Sequence, residues 1–355
     1  MQNKKFNYCV CIGRFQPFHV GHLCVVDEAL MKAEKVIILI GSANQPACSR
    51  NPFTYQERVE MILSNFEGSR DRIICSPLID VAYNDDLWVQ NVQSTVNGII
   101  ASQEYRSNPS VALIGHAKDN SSYYLNLFPQ WQSVDVENYQ GLDATKIRHV
   151  FFNDYSHEVI HDTINGLIKN EMITKAVGNL LKEYGRTNST YRRISKEIQF
   201  IKDYKKSWEA APYPPIFVTT DAIVIQSGHV LMIKRGAEPG KGLWALPGGF
   251  LNQNEKLIDG CIRELEEETK IDVPTKVLKG SIVKQNVYDN PNRSQRGRTI
   301  THAYLIMLEK RSKLPKVKGS DDAEKAKWIP LAELNPEEIY EDHFHIIQNM
   351  IGSSK

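Results

Sequence analysis

Over the first half of the chain, short runs of apolar residues alternate with helical stripes. Tyr8 to Ile12 is an unbroken apolar run of strand length, and Lys35 to Ile40 supplies a second. Between them Leu23, Val26, Leu30 and Ala33 recur at helical spacing, a stripe suited to covering a sheet. Arg72 to Cys75 and Val111 to Ile114 add two more strand candidates. Strand, helix, strand repeated in this way predicts an α/β domain on a parallel sheet, and right-handed crossovers make it an open, doubly wound, Rossmann-like one.

The pattern changes between about Lys182 and Trp208, where Tyr191, Ile194, Ile198, Ile201 and Trp208 fall at helical offsets in a charged background. From Lys182 to Lys206 eight Lys/Arg face three Asp/Glu, an excess of five positive charges that reads as the solvated face of a connecting helix. Pro212, Pro214 and Pro215 end it. From Phe217 the chain turns to strands (FVTTDAIVI, HVLMIKR), a Gly-rich loop and one acidic helix. The expected division is therefore a first domain over 1–183, a helical linker over 184–212 and a second α/β domain over 213–355, in keeping with about 150 residues per domain.

Composition narrows the function classes. With 41% hydrophobic and 24% charged residues the chain has ordinary globular content, and a net charge of +1 gives no global field to recruit nucleic acid or an anionic membrane. The longest aliphatic run near the start, Val36 to Ile40, is far below the ~20 residues of a membrane span, and no secretory apolar region follows Met1. Six cysteines without a C-x-x-C pair read as reduced packing residues, hence a cytoplasmic protein.

Candidate chemistry lies first in Gly13 to His22, GRFQPFHVGH, between the first strand and its helix, where an open α/β sheet places ligands. Gly13 and Gly21 let backbone approach a polyphosphate, and the helix start offers free N–H groups. His19 and His22 can hold phosphate oxygens as charge builds at phosphorus, with Arg14 as a bidentate cation. These residues resemble the archaeal-type nicotinamide mononucleotide (NMN) adenylyltransferases of the H-x-G-H nucleotidyltransferase superfamily. The resemblance runs through most of the first 150 residues. It implies that Gly13, Phe15, Ser42 and Arg50 (in IGSANQPACSRNPFTYQER) and Lys118 (in GHAKDNSSYY) bind ATP. Asp80, Asn84 and Trp88 (in LIDVAYNDDLWV) would form the nicotinamide pocket, Trp88 by stacking. Thr145 and Arg148 (in LDATKIR) would hold the β and γ phosphates. Asp143 stands where the family usually has Ser, an added negative charge beside phosphates.

A second constellation begins at Gly249. Five residues intervene before Glu255 and seven more before Arg263-Glu264-Leu265-Glu266-Glu267-Glu268. On a helix Glu264, Glu267 and Glu268 stand at i, i+3 and i+4, and three carboxylates on one face call for hard divalent cations. Glu255 is the expected partner of Arg263, and Gly248 offers a backbone carbonyl as a further ligand. The spacing resembles the Nudix hydrolase signature, with Lys270 in place of its usual Gly, and implies a Nudix α/β/α sandwich. GLWALPGGF, RGRTIT and SDDAEKAKW resemble ADP-ribose pyrophosphatases fused to this adenylyltransferase. Arg296 and Arg298 would then hold a diphosphate, with Asp321, Asp322 and Glu324 as candidates for a further ligand or general base.

Together the resemblances imply a bifunctional enzyme of NAD metabolism. The first domain would join ATP and NMN into NAD and pyrophosphate with His19, His22 and Arg14 in catalysis. The second would hydrolyse ADP-ribose to AMP and ribose 5-phosphate with Glu267 in catalysis. Both would use Mg2+, or Mn2+. The partners are small molecules, with no nucleic acid and no membrane, and a homo-oligomer stays open. Two alternatives remain: nicotinic acid mononucleotide as acceptor, and a second domain that senses ADP-ribose or a dinucleotide, or cleaves another nucleoside diphosphate derivative.

Overall fold

The two apolar runs near the start are adjacent parallel strands, β1 (Phe6–Gly13) and β2 (Ala33–Ile40), joined through helix α1 (Val20–Lys32). The computed structural model describes residues 5–103, 108–115, 125–136, 141–153, 157–320 and 323–352. Next come α2 (Tyr55–Leu63), β3 (Ile73–Pro77), α3 (Asp85–Gln103), β4 (Val111–Gly115) and β5 (Gln132–Asp135). The sheet order is β3-β2-β1-β4-β5, every neighbour parallel. The order reverses beside β1, so a crevice is expected at the carboxyl ends of β1 and β4.

Alternation along the strands explains why the runs are unbroken. Cys9, Cys11, Val36, Ile38 and Ile40 face one core, while Tyr8, Val10, Ile37 and Leu39 face another that also takes Val92 and Val96 of α3. Both faces are buried, so neither can be polar. All six cysteines are free, and burial pushes the Cys9 thiol up to about 11 and the Cys11 thiol up to about 12, as packing residues require.

Helices α4 (Ala144–Phe151), α5 (His157–Lys169), α6 (Lys175–Thr187) and α7 (Ser189–Lys206) follow. The chain divides into two units, Met1–Ile198 and Gln199–Lys355, so the boundary falls inside α7. Tyr184, Tyr191, Ile194 and Ile198 lie in the first core, and the Tyr191 hydroxyl donates to the Phe151 carbonyl at 2.6 Å. The stretch expected as a linker is thus helical, but its apolar stripe up to residue 198 is core, with Glu197 buried beside it and the other charges of α7 on the exposed side.

The second unit contains β6 (Ile216–Gln226), β7 (His229–Arg235), β8 (Trp244–Ala245), β9 (Gly248–Phe250), α8 (Leu257–Thr269), α9 (Thr275–Gly280), β10 (Ile282–Tyr288), β11 (Arg298–Met307), β12 (Ala323–Pro330) and α10 (His343–Gly352). Its mixed sheet has the order β10-β11-β6-β7-β12, with β8 on β7 and β9 on β6. Only β11 and β6 are parallel; the other pairs are antiparallel. Helix α8 packs Cys261, Ile262 and Leu265 on Ala222, Val224 and Leu231. The alternate residues Ile223 and Ile225 are buried as well, and α10 buries Ile346, Ile347 and Met350. Among the described residues no helix is long and apolar enough to cross a membrane.

Candidate active sites

In the first unit the end of β1, the end of β2 and the start of α4 meet. His19 caps α1, its backbone N–H donating to Nδ1 of His22 at 3.3 Å. Neutral His22 therefore carries its proton on Nε2, where it can donate. The two imidazoles stack with centroids 3.6 Å apart, and Phe15 abuts His22 at 4.8 Å. Phe15 has left-handed backbone (φ 53) and is 2% exposed. Expected among the ATP-binding residues, its side chain has no surface to offer a ligand: it supports Gly13 and His22 instead.

Ser42 also has left-handed backbone (φ 51). Its hydroxyl donates to Asp80 Oδ2 at 2.6 Å and its N–H to Oδ1 at 3.1 Å. Asp80, expected to read a carboxamide, thus holds the Ser42 turn. Asn84 is exposed and its Oδ1 accepts from the Leu87 N–H at the start of α3. Trp88 is half-buried and packs toward Phe128 in the second core, 6.1 Å between centroids. Each of the three residues of the expected nicotinamide pocket therefore has a structural partner of its own.

Asp143 is the N-cap of α4, accepting from the Thr145 N–H at 2.6 Å, a bond that a Ser hydroxyl makes equally well. Arg148 is buried, donating to the Gln16 carbonyl at 2.7 Å and the Thr145 hydroxyl at 3.1 Å. Burial brings its pKa down to about 10, with Arg14 and Arg50 adding repulsion. Arg14 reaches solvent, yet lost hydration followed by repulsion from Arg50 lowers its pKa as well. Three guanidiniums that repel one another beside a helix N-terminus make a site an oligophosphate would relieve. Lys118 lies outside the described residues. Sequence reasoning passed over Arg58, and over Arg193 and Glu197 of α7, which bind the Ala47 carbonyl and the Ser49 N–H and so fasten the segment carrying Arg50. A charged residue on the apolar stripe of a helix was the available signal.

In the second unit Arg263 gathers the glutamates. It donates to Glu255 at 3.0 and 2.7 Å, and its Nη1 reaches both Glu264 (2.8 Å) and Glu267 (2.9 Å). These bonds raise the Arg263 pKa and hold that of Glu255 down to about 2. Glu268 turns to the Gly248 N–H at 2.9 Å, so the three carboxylates share one helix turn without closing on one point. Burial, opposed by that N–H, and then the charge of Glu264 push Glu268 up to about 8. A crowded, partly desolvated carboxylate set of this kind fits a hard divalent cation. A Cβ at Gly249 would stand 2.6 Å from the Glu264 carboxylate and push that side chain aside, whereas one at Gly248 would run into the Thr220 backbone carbonyl, so Gly248 is the position that leaves no room for a side chain. Lys270 ends α8 in the left-handed region (φ 43, ψ 40), the conformation for which the signature uses Gly.

The two arginines outside the box part company. Arg298 donates to the Asp289 carbonyl and lies 4.0 Å from its carboxylate. Arg296 lies over Phe250, 5.0 Å from the ring centroid, and its buried Nε has no hydrogen-bond partner among the described residues. Phe250 in turn accepts from Arg263 through its carbonyl at 3.2 Å, so Arg296 borders the glutamate site and Arg298 is already engaged. Glu324 is exposed on β12, and Asp321 and Asp322 lie outside the described residues.

Residues 10–149 match the Cytidylyltransferase-like family and residues 216–350 the NUDIX domain family. A crystal structure from Francisella tularensis, a bifunctional NMN adenylyltransferase/ADP ribose pyrophosphatase complexed with AMP and manganese ion, is 36% identical, with a TM-score of 0.87 over 98% of this chain and 99% of that one. The chain belongs to that bifunctional family. Two further relatives each match less than half of this chain. The nicotinamide/nicotinic acid mononucleotide adenylyltransferase of Acinetobacter baylyi is 46% identical over 42% of this chain and 77% of its own. The ADP-ribose pyrophosphatase of Methanocaldococcus jannaschii is 33% identical over 44% of this chain and 85% of its own. This member of the bifunctional family thus keeps both halves, and its one departure in the Nudix box sits at a backbone position that accommodates it.

Proposed function

We propose that the first unit transfers the adenylyl group of ATP to NMN and the second hydrolyses ADP-ribose. The observation that carries the reading is that both sites are assembled within a chain alike, over its whole length, to one named for both activities. In the first unit an NMN phosphate oxygen attacks the α-phosphorus of ATP in line, the new P–O bond forms as the bond to pyrophosphate breaks, and no covalent intermediate intervenes. Arg14, Arg50 and Arg148 balance the charge of the departing pyrophosphate. His19 and His22, stacked at the start of α1, donate to oxygens whose charge grows in the transition state. Mg2+ or Mn2+ would accompany the phosphates.

In the second unit Glu264, Glu267 and Glu268 would hold the divalent cation. Bound there, it supplies neutralisation of the diphosphate and a lowered pKa for water. Arg263 keeps two of the glutamates in place through its fork, with Glu255 as anchor. Arg296 offers its uncommitted Nε to the diphosphate. Water adds to one phosphorus and the P–O–P bridge opens, giving AMP and ribose 5-phosphate. Separate incubations of the full chain with ATP, Mg2+ and NMN, with ATP, Mg2+ and nicotinic acid mononucleotide, and with ADP-ribose and Mg2+ test the reading by chromatography. NAD in the first and AMP in the third are expected. ADP-ribose that binds yet survives would make the second unit a sensor.

A further inference from the structure

Arg58 on α2 is 1% exposed and carries no partner carboxylate among its hydrogen bonds. Its Nε donates to the Thr54 carbonyl (3.2 Å), its Nη1 to the carbonyls of Arg14 (2.8 Å) and Gly41 (2.6 Å), and its Nη2 to that of Ser42 (3.3 Å). Three segments are pinned by one planar group: the turn after β1, the turn after β2 and the cap of α2. The same two turns are joined directly only by the Gly41 N–H on the Gly13 carbonyl at 2.9 Å, among the described backbone bonds. Each turn carries a residue with left-handed backbone, Phe15 in one and Ser42 in the other, so neither holds its shape by local preference alone. Four N–H groups of Arg58 are spent on carbonyls and the side chain is sealed from solvent, which leaves it no reach to a substrate.

We infer that Arg58 is a positioning residue for adenylyl transfer, setting the spacing between the Arg14 turn and the Ser42 turn without touching ATP or NMN. The inference rests on the adenylyltransferase reading of the first unit. A lysine would keep the charge, but a single ammonium lacks the planar fork that spans carbonyls on separate segments. A methionine would leave the carbonyls of Gly41, Ser42 and Arg14 without this donor.

The full-length Arg58→Lys, Arg58→Met and Arg58→Ala variants test this through NAD formation with ATP and NMN varied separately. A displaced turn acts on the transition state, so kcat is expected to fall by about 10²-fold in Arg58→Met, with Arg58→Lys recovering only a small part. Millimolar guanidinium added to Arg58→Ala should restore part of kcat per folded molecule, together with the small rise in melting temperature that binding to the folded site brings. Loss of four buried hydrogen bonds lowers the melting temperature in either case; a merely structural arginine predicts unchanged kcat per folded molecule and no recovery of kcat with guanidinium. Folded variants that keep kcat within about twofold, or three variants that all fail to fold, would overturn the positioning role. If the unmutated chain makes no NAD, the adenylyltransferase reading itself falls, which is a separate outcome.

Discussion

Lys270 shows how a sequence departure can be absorbed by backbone. A side chain in the left-handed region costs about 1 kcal/mol, and here its N–H still donates to the Glu266 carbonyl at 3.0 Å, so α8 ends as a Gly-capped helix would. Lys270→Gly should therefore stabilise the second unit by at most about 1 kcal/mol, part of the gain being lost to the freer unfolded chain. Urea unfolding measures it, and ADP-ribose hydrolysis should stay within about twofold; a large rise in hydrolysis would mean that the lysine displaces Glu267 and Glu268. Glu267→Gln keeps an acceptor for Arg263 while removing the charge, so hydrolysis should drop by about 10²-fold or more at unchanged stability, read as AMP released per folded enzyme. Residues whose type and spacing already imply a charge problem, such as Glu264, Glu267 and Glu268, were legible from sequence. Asp80 was not, because its engagement by Ser42 depends on a left-handed turn that brings residues 38 positions apart together.

At the scale of elements, legibility followed burial. Strands β1 to β4 could be named within a few residues because buried faces leave unbroken apolar runs, whereas β5 (QSVD) is a polar edge strand and β8 and β9 are too short for a period to show. Helix α7 was visible as a helix but not as part of a core. An apolar stripe reads the same whether it meets a neighbouring domain, a partner or the domain before it. The structure makes Tyr191 decisive, since it is wholly buried among Phe151, Phe152 and Tyr184 and donates to the Phe151 carbonyl. Tyr191→Ala should cost the first unit about 3–5 kcal/mol. Hydrogen exchange across α4 to α7 in the full chain is the measurement, and a solvated linker would instead show a change below about 0.5 kcal/mol.

For the molecule as a whole, groups buried without a role in either reaction contribute to its response to acid. His343 at the start of α10 accepts from the Leu246 N–H at 2.9 Å through Nδ1, which a protonated ring cannot do. Burial, reinforced by the nearby Arg293, Arg235 and Arg296 against the opposing charge of Asp342, drives its pKa down to about 3. The unfolded chain takes up this proton near pH 6.5 and the folded chain does not, so His343 leaves stability untouched above that pH. Below it, the second unit loses about 1.4 kcal/mol per pH unit until the folded pKa is reached. Asp221 and Glu341 work in the opposite sense, because burial raises both carboxyl groups and the folded state then binds their protons more readily than the unfolded one. The net slope of the unmutated chain mixes these effects, and the difference from His343→Gln separates them. That variant keeps an acceptor for Leu246 but has nothing to titrate, so between pH 7 and pH 5 it should retain about 2 kcal/mol that the parent chain loses. Urea unfolding at both pH values, followed by a probe confined to residues 199–355, decides it: parallel losses in parent and variant would show that His343 is protonated in the fold.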